Sequence, residues 1–254
     1  MLDSHGNRNR WTSVIETYNL SKSFKDVEAV KDVSFKVNKG EIVGLLGENG
    51  AGKTTTLRML ATMLRPTSGS ASINGYDIIK DSHEVRRNIG ILFGGEVGLY
   101  DRLTGRENID YFAKLNGLSQ EETDKSIEEL VEDFKMQEYI DRRVGKFSRG
   151  MKQRVAISRS IVHKPTVMLF DEPTVGLDVS ATKIVHDFIL KCKAENRAII
   201  FSSHSMQEVE RLCDRIVLIH RGKIVEDGSK EELKEKYSSE DMEEIFLRLV
   251  GDNK

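Results

Sequence analysis

The chain has 254 residues, of which 38% are apolar and 31% are charged, and its formal net charge is -2. This length predicts one large domain, or one domain with an insertion, and the supply of apolar residues argues against intrinsic disorder. The near balance of 39 basic and 41 acidic residues gives no electrostatic reason to expect a nucleic-acid partner.

The composition also indicates a reducing compartment. Cys192 and Cys213 are too few for a disulfide framework and form no CxxC pair, so we expect free thiols. No apolar run approaches the roughly 18 residues needed to span a bilayer. Residues 1–12 lack the apolar segment of a secretory signal and are expected to form a loose tail. We therefore expect a cytosolic protein that acts at a membrane only through another chain.

In the first part of the chain, strand patterns come before a glycine-rich turn. Val33, Phe35 and Val37 alternate with polar residues, as in a half-buried strand. The mostly apolar run 41–46 predicts a second strand, and the stretch 53–64 after the turn favours a helix. The other predicted strands are Ala71–Ile73, Ile89–Phe93, Thr166–Phe170, Ala198–Ser202 and Ile216–Ile219.

Helical periodicity dominates from Leu103 to Val162 and returns between the later strands. Residues 119–122 have the pattern of a capping box, which marks the start of a helix, and residues 229–232 repeat it. Beyond the second box, four apolar side chains are spaced along one helical face: Met242, Ile245, Phe246 and Leu249. Strands that alternate with helices predict a mainly parallel sheet covered on both faces, and the block 103–162 resembles a helical insertion.

The glycine-rich turn, Gly47–Thr54, matches the phosphate-binding pattern GxxxxGK[ST] and lies between a predicted strand and a predicted helix. Glycines let the backbone fold around a phosphate, and the helix that starts near Gly52 directs its positive end at the same anion. Lys53 supplies a mobile charge for the β- and γ-phosphates, while the Thr54 hydroxyl can ligate Mg²⁺. The turn thus predicts a nucleoside triphosphate site.

Two carboxylates end the apolar run that follows the helical block. In an open α/β sheet, Asp171 and Glu172 would emerge beside the phosphate loop, where Asp171 could hold Mg²⁺ and Glu172 could polarise the attacking water. His204 follows the next strand, at the same predicted edge, and could hydrogen-bond the γ-phosphate. Asp178 lies in the loop after Glu172. The other histidines are expected to be structural: His5, His83, His163, His186 and His220.

The motifs, and their order along the chain, resemble those of the nucleotide-binding subunit of ATP-binding-cassette (ABC) transporters. The resemblance covers about residues 13–228. The segment Phe147–Arg154 is similar to the family signature LSGGQ-QR, and it lies in the helical block. The other matching motifs are an aromatic at Phe24, Walker A at Gly47–Thr54, Walker B at Thr166–Glu172, the D-loop at Val175–Asp178 and the switch histidine at His204.

The signature segment also has a physical rationale. Ser148 is a favourable N-cap and Gly150 allows close backbone approach, so a helix start here offers hydroxyl and N–H donors to an anion. The resemblance implies that this helix completes the ATP site of a second subunit. Two ATP molecules would then lie between head-to-tail protomers, most simply a homodimer.

The resemblance implies a fold and a set of site residues. The fold is α/β, a P-loop NTPase (RecA-like) fold with a mainly parallel sheet, an antiparallel β portion and a helical subdomain at about residues 95–163. Residues 13–228 would form the nucleotide-binding domain, and 229–254 a C-terminal helical extension. The implied catalytic residues are Glu172, His204 and Lys53, and the implied metal ligands are Thr54 and Asp171. The residues implied to contact ATP are Phe24, Gly47, Glu48, Asn49, Gly50, Ala51, Gly52, Lys53, Thr54, Thr55, Ser148, Arg149, Gly150 and Asp178.

The sequence departs from the family pattern at two places. Arg149 replaces the usual first glycine of the signature, and its side chain would point either away from the phosphate or along it. The loop after Ile89–Phe93 normally contains a glutamine. Here Gly94 stands at the expected position, with Glu96 nearby.

The expected function is therefore that of an ATPase, with ATP and Mg²⁺ as cofactors, which drives a separate integral membrane permease from the cytoplasmic face of the membrane. Segments such as 88–100 and 103–108 resemble exporters of the sodium-efflux type, and drug exporters share much of this pattern. Two alternatives remain: a soluble ABC ATPase in DNA repair or translation, and a regulatory module that senses ATP without hydrolysing it. Near-neutral charge disfavours the first, and the presence of Glu172 and His204 disfavours the second.

Overall fold

The computed structural model describes residues 13–93 and 98–251, so Gly94 and Glu96 lie outside the described residues, as does the predicted tail at 1–12. The strands are β1 (Ser13–Phe24), β2 (Val27–Val33), β3 (Lys36–Asn38), β4 (Ile42–Leu46), β5 (Ser68–Ile73), β6 (Tyr76–Asp77), β7 (Ile89–Leu92), β8 (Val167–Asp171), β9 (Ala198–Ser202), β10 (Arg215–His220) and β11 (Lys223–Ser229). The helices are α1 (Lys53–Leu60), α2 (Ser82–Asn88), α3 (Gly105–Leu115), α4 (Gln120–Asp133), α5 (Arg149–Ile161), α6 (Val179–Ala194), α7 (Met206–Leu212), α8 (Lys230–Tyr237) and α9 (Met242–Gly251), with a 3₁₀ turn at Val144–Lys146.

The larger sheet has six strands in the order β11-β10-β4-β9-β8-β7. All of its neighbours pair in parallel except β10 and β11, which form an antiparallel pair. Every residue of β4, β8 and β9 is buried, as expected for parallel strands covered on both faces. The carboxyl ends of these three neighbours therefore lie side by side at one edge of the sheet.

The second sheet is antiparallel and contains β2, β1, β5 and β6 in that order, with β3 also paired to β1. A hydrophobic core, which includes Ile15, Val43, Leu57 and Ile200, joins this sheet to one face of the six-stranded sheet. A mainly parallel sheet with an antiparallel portion is thus confirmed.

The predicted helical block contains α3, α4 and α5. Capping boxes begin α3 at Thr104 and α4 at Ser119, and a third begins α8 at Ser229. The apolar face predicted for α9 is confirmed, since Met242 and Ile245 are buried in a second core, the one that covers the helical side of the larger sheet.

Two of the predicted element boundaries are wrong. Val33, Phe35 and Val37 are all buried, but they do not form one strand. Asp32, near the end of β2, has a φ of +49°; Val33 ends β2, Phe35 lies in the connection and Val37 belongs to β3. The helix after the phosphate loop ends at Leu60 instead of residue 64, because Thr62 adopts a φ of +60°.

Both cysteines are free, as expected, and both are buried. Burial raises the pKa of the Cys192 thiol to about 12, which makes it inert at neutral pH. Within 13–93 and 98–251, no helix combines the length and apolar character needed to cross a membrane.

Candidate nucleotide-binding site

The phosphate loop begins where the buried strand β4 ends, and its glycines are required by the backbone. Gly47 has a φ of +152°, and a Cβ placed on it would lie 2.2 Å from the carbonyl oxygen of Ile219. Gly52 has a φ of +111°, and its Cβ would lie 2.6 Å from the carbonyl oxygen of Ala29. Any other residue would collide with neighbouring backbone, so these glycines give the loop its shape.

The Lys53 side chain folds back over this loop. Its Nζ donates hydrogen bonds to the carbonyl oxygens of Gly47 at 2.7 Å and Glu48 at 3.0 Å. Burial lowers the pKa of Lys53, while the nearby carboxylates of Glu172 and Asp171 raise it. The ammonium group is thus held at the centre of the loop, between backbone carbonyls and two acids.

Thr54 and Asp171 come together as expected for a pair of metal ligands. The Thr54 hydroxyl donates to Oδ2 of Asp171 at 2.7 Å, and the Ser202 hydroxyl donates to Oδ1 at 2.5 Å. A hydroxyl and a carboxylate fit Mg²⁺, which prefers oxygen ligands and takes only one or two from the protein beside substrate phosphates. These two residues could hold the metal, with Ser202 orienting the carboxylate.

Glu172 and His204 lie at the same edge, at the ends of β8 and β9. Glu172 adopts a φ of +49°, and its N–H donates to the carbonyl oxygen and the hydroxyl oxygen of Ser202. Its Oε1 lies 3.3 Å from Nδ1 of His204. A carboxylate beside an imidazole, at the same sheet edge as the phosphate loop, is suited to accept a proton from a water molecule.

The signature residues occupy the start of α5. The Ser148 Oγ caps the helix by accepting from the Met151 N–H at 3.3 Å. A Cβ on Gly150 would meet only the Cβ of Ala181, at 3.5 Å, an ordinary contact. The fold of one chain therefore does not require a glycine at position 150.

Asp178, Phe24 and Arg149, also predicted to contact ATP, lie at three separate places in the fold. Asp178 is the N-cap of α6, and its Oδ1 accepts from the Ala181 N–H at 2.8 Å. Phe24 ends β1 with 46% of its surface exposed, and Nζ of Lys22 lies 5.2 Å from its ring centroid. The Arg149 guanidinium turns toward its own D-loop, where Nη2 donates to the carbonyl oxygen of Val175 at 3.0 Å.

An open cavity of about 310 Å³ adjoins the phosphate loop and the switch histidine. It is lined by Gly47, Glu48, Asn49, Ser203, His204, Met206 and Phe246. Among the described residues that line it, none belongs to α5. The C-terminal helix α9 also contributes Phe246 to this cavity.

Sequence reasoning missed two residues that organise the site. Ser202 binds both Asp171 and the Glu172 backbone, and a hydroxyl at the end of an apolar strand was the available signal. Glu208 is largely buried and accepts hydrogen bonds from Thr174 and Ser203, and it lies 3.1 Å from Nε2 of His186. Burial raises the pKa of Glu208, but these hydrogen bonds hold it below its usual value overall.

Comparison with known proteins identifies the family. A profile of the ABC transporter family matches residues 30–175. The chain belongs to the ABC transporter family. It is 49% identical over 238 residues to the ABC transporter ATP-binding protein NatA of Bacillus subtilis, covering 92% of this chain and 97% of that protein.

Further relatives include the doxorubicin resistance ATP-binding protein DrrA of Mycobacterium tuberculosis, 41% identical over 87% of this chain and 65% of its own length. The bacitracin transport ATP-binding protein BcrA of Bacillus licheniformis is 39% identical, over 89% of this chain and 72% of its own length. The ATP-binding subunit of an ABC transporter has a similar solved structure, with a TM-score of 0.87 and 30% identity, covering 93% of this chain and 99% of that chain.

A dimeric ATP-binding cassette bound to ADP and phosphate shares the fold, with a TM-score of 0.77 and 24% identity over 85% of this chain and 98% of that chain. Membership of the ABC transporter family makes the chain an ATP-binding ATPase subunit and confirms the expected P-loop NTPase fold. The relatives give the DNA-repair or translation alternative no support.

Proposed function

We propose that this chain binds MgATP between two head-to-tail copies of itself and uses its hydrolysis to drive a membrane exporter. One observation carries the proposal: the Thr54–Asp171 pair, Lys53 and the Glu172–His204 pair converge at the carboxyl edge of three adjacent strands. Phosphoryl transfer to water needs these components, namely an anion cradle, a metal site and a group that orients the water.

In this proposal, Lys53 and the N–H groups of Gly47–Thr54 hold the β- and γ-phosphates. Thr54 and Asp171 would hold Mg²⁺, which neutralises charge on the phosphate oxygens when bound. Glu172 would orient the attacking water and accept its proton. His204 would donate a hydrogen bond to the γ-phosphate, and its contact with Glu172 keeps the two side chains in register.

The open space at Gly150 supports a second subunit in the site. The fold of one chain does not fill the space beside Gly150, and close approach of a phosphate to the helix start would use that space. Ser148 keeps a hydroxyl proton available for the same anion, since its oxygen accepts the capping bond. The dimeric cassette with the same fold supports this assembly.

The remaining nucleotide contacts rest on the family resemblance. Phe24 would stack on the adenine, and its exposed ring is accessible for that. Asp178 would act from its capping position at the start of α6. The other proposed contacts are Glu48, Asn49, Gly50, Ala51, Gly52 and Thr55, whereas Arg149 faces its own D-loop. The division into a domain at 13–228, a helical subdomain at 95–163 and an extension at 229–254 is part of the same proposal.

A permease would dock near residues 94–108, of which 98–108 are described. There, the exposed rings of Tyr100 and Tyr111 meet edge to face at a centroid distance of 5.5 Å, and Leu115 is 62% exposed on the same helix as Tyr111. Aromatic groups of this kind are enriched at protein interfaces. Such docking would hold the chain at the cytoplasmic face of the membrane.

The proposed cargo is sodium or a drug, moved outward. The sodium expectation comes from the motif pattern around residues 88–108. The drug expectation is supported by the relatives named for doxorubicin resistance and bacitracin transport. A survey of candidate cargoes in vesicles that contain the purified complex with its permease would separate the two.

The direct test of the proposed function is the Glu172→Gln variant. Glutamine keeps the size of the side chain but cannot accept a proton, so we expect ATP binding to persist and phosphate release to fall by about 100-fold or more. We also expect ATP to convert this variant from monomer to dimer, measured by light scattering during gel filtration.

The matched control is Glu84→Gln, a half-exposed carboxylate in α2 that we expect to leave both readouts unchanged. Hydrolysis by Glu172→Gln at the wild-type rate would remove Glu172 from its role. A variant that retains ATP as a monomer would contradict the shared site.

A further inference from the structure

Arg149 stands at the first position of the signature helix α5, where the family pattern has glycine. A cation at this end of a helix interacts unfavourably with the helix dipole, so a specific partner is needed to offset that cost. The structure supplies one on the same chain. Nη2 donates to the carbonyl oxygen of Val175 at 3.0 Å.

The guanidinium also lies flat against Gly176. A Cβ added to Gly176 would come within 2.3 Å of both Cζ and Nη1 of Arg149. Gly176 also has a φ of +75°, so the D-loop uses this glycine both for its turn and for the close approach of the arginine.

Two other contacts hold the same segment, the β8–α6 loop at residues 172–178. From α5, Nε2 of Gln153 donates to the carbonyl oxygen of Pro173 at 2.7 Å. From α7, Glu208 accepts from the Thr174 hydroxyl and, at 2.7 Å, from the hydroxyl of Ser203, the residue before His204. Three consecutive residues of the loop are thus fixed in turn by α5, α7 and α5.

The loop begins with Glu172, whose Oε1 lies 3.3 Å from His204. Arg149 and Gln153 therefore connect α5 directly to the loop that begins with Glu172. Arg149 is the more exposed of the two links and lies next to Ser148, which the proposed function places against the phosphate of the other copy.

Taking that proposed function as given, we propose that Arg149 is a positioning residue that acts on its own D-loop and not on a phosphate. It clamps Val175 and Gly176 to the signature helix. When the ATP bound to one copy contacts the signature helix of the second copy, the contact acts on Arg149 of the second copy. Through its D-loop, Arg149 then sets the position of Glu172 in that same second copy. This links the two ATP sites of the dimer.

The first test uses hydrogen exchange on the nucleotide-free chain and so does not depend on hydrolysis. We expect Arg149→Ala to accelerate exchange of the amides of residues 172 and 174–178. The control Arg142→Ala removes an exposed cation elsewhere in the helical block and should not do so. Unchanged exchange in Arg149→Ala would overturn the proposal. A wild-type protein that shows no ATPase activity would instead refute the proposed function and leave this exchange result standing.

The second test separates a clamp from a phosphate contact by steady-state kinetics. A displaced D-loop should lower kcat by about 10- to 100-fold and leave the KM for ATP within about twofold. Arg149→Lys should not restore kcat, because an ammonium cannot lie flat on Gly176. A raised KM at unchanged kcat, with rescue by lysine, would show a phosphate contact and overturn the proposal.

A double-mutant cycle with Gly176→Ala tests the contact itself. The added methyl collides with the guanidinium only when Arg149 is present. Gly176→Ala should therefore lower kcat by a larger factor in the wild-type background than in the Arg149→Gly background. Strictly additive losses would mean that the two residues act independently, which contradicts the clamp.

Discussion

The Lys53 side chain closes the phosphate loop on itself through hydrogen bonds to the carbonyl oxygens of Gly47 and Glu48. Those carbonyls are weaker partners for an ammonium than a phosphate oxygen, which carries full charge. The buried ammonium is therefore ready to exchange them for a nucleotide. Burial lowers the pKa of Lys53, whereas a bound anion would raise it and favour the charged form.

We expect Lys53→Ala to weaken ATP binding by about 10- to 100-fold, since hydrogen bonds to charged groups contribute roughly 1.5–3 kcal/mol. The measurement is equilibrium titration with a fluorescent ATP analogue. Lys39→Ala, an exposed lysine before the other end of β4, serves as the control. Equal affinity in Lys53→Ala and the wild type would contradict the phosphate-loop assignment.

The candidate residues for the chemistry could be named from the sequence, because their types follow from what a triphosphate would need. Lys53, Asp171 and Glu172 stand at fixed places beside a strand end, and the strand that precedes His204 ends at the same edge. The residues that hold these groups were missed. Ser202 carries only a weak signal, a hydroxyl at the end of an apolar strand, and Glu208 acts through contacts that no sequence spacing encodes. Nor could the orientation of Arg149 be predicted, since it depends on the lack of a side chain at Gly176, which lies beyond β8 in the chain but is adjacent in the fold.

At the scale of elements, helix starts were predicted more accurately than helix ends. The Ser119 side chain accepts from the Glu122 N–H while the Glu122 carboxylate accepts from the Ser119 N–H at 2.8 Å, as the motif predicts. The end of α1, in contrast, is marked by a threonine in a left-handed conformation, a residue type that gives no such signal. Local chemistry fixes the starts, whereas tertiary packing fixes some of the ends.

We expect Ser119→Ala to lower the free energy of unfolding by about 1 kcal/mol, the usual cost of removing a helix N-cap. The measurement is urea unfolding followed by circular dichroism. Ser119→Asp keeps an oxygen acceptor at the cap and should unfold near the wild-type midpoint. An alanine variant as stable as the wild type would show that the cap contributes nothing measurable to α4.

At the scale of the whole molecule, the strand order β10-β4-β9-β8 brings the site together. The sequence predicts that parallel strands share a carboxyl edge, but it does not predict which strands are neighbours. Placing β4 beside β9, and β9 beside β8, sets the phosphate loop, His204 and Glu172 next to one another. Among the described residues that line the cavity at the phosphate loop of one chain, none comes from the start of α5.

The shared site is tested most directly by mixing two defective chains, both in the Glu172→Gln background. Lys53→Ala lacks the phosphate lysine, and Gly150→Asp places a negative charge at the helix start, where an acidic side chain suits the helix but repels a phosphate. The Cβ that Gly150→Asp adds would fit the fold, because it meets only Ala181.

The quantity to measure is the ATP retained per chain after gel filtration. We expect neither variant alone to retain ATP, and the mixture to retain it as a dimer with one intact composite site, about one ATP for two chains. Full retention by Gly150→Asp alone, or a mixture no better than its separate components, would contradict the binding of ATP between two copies.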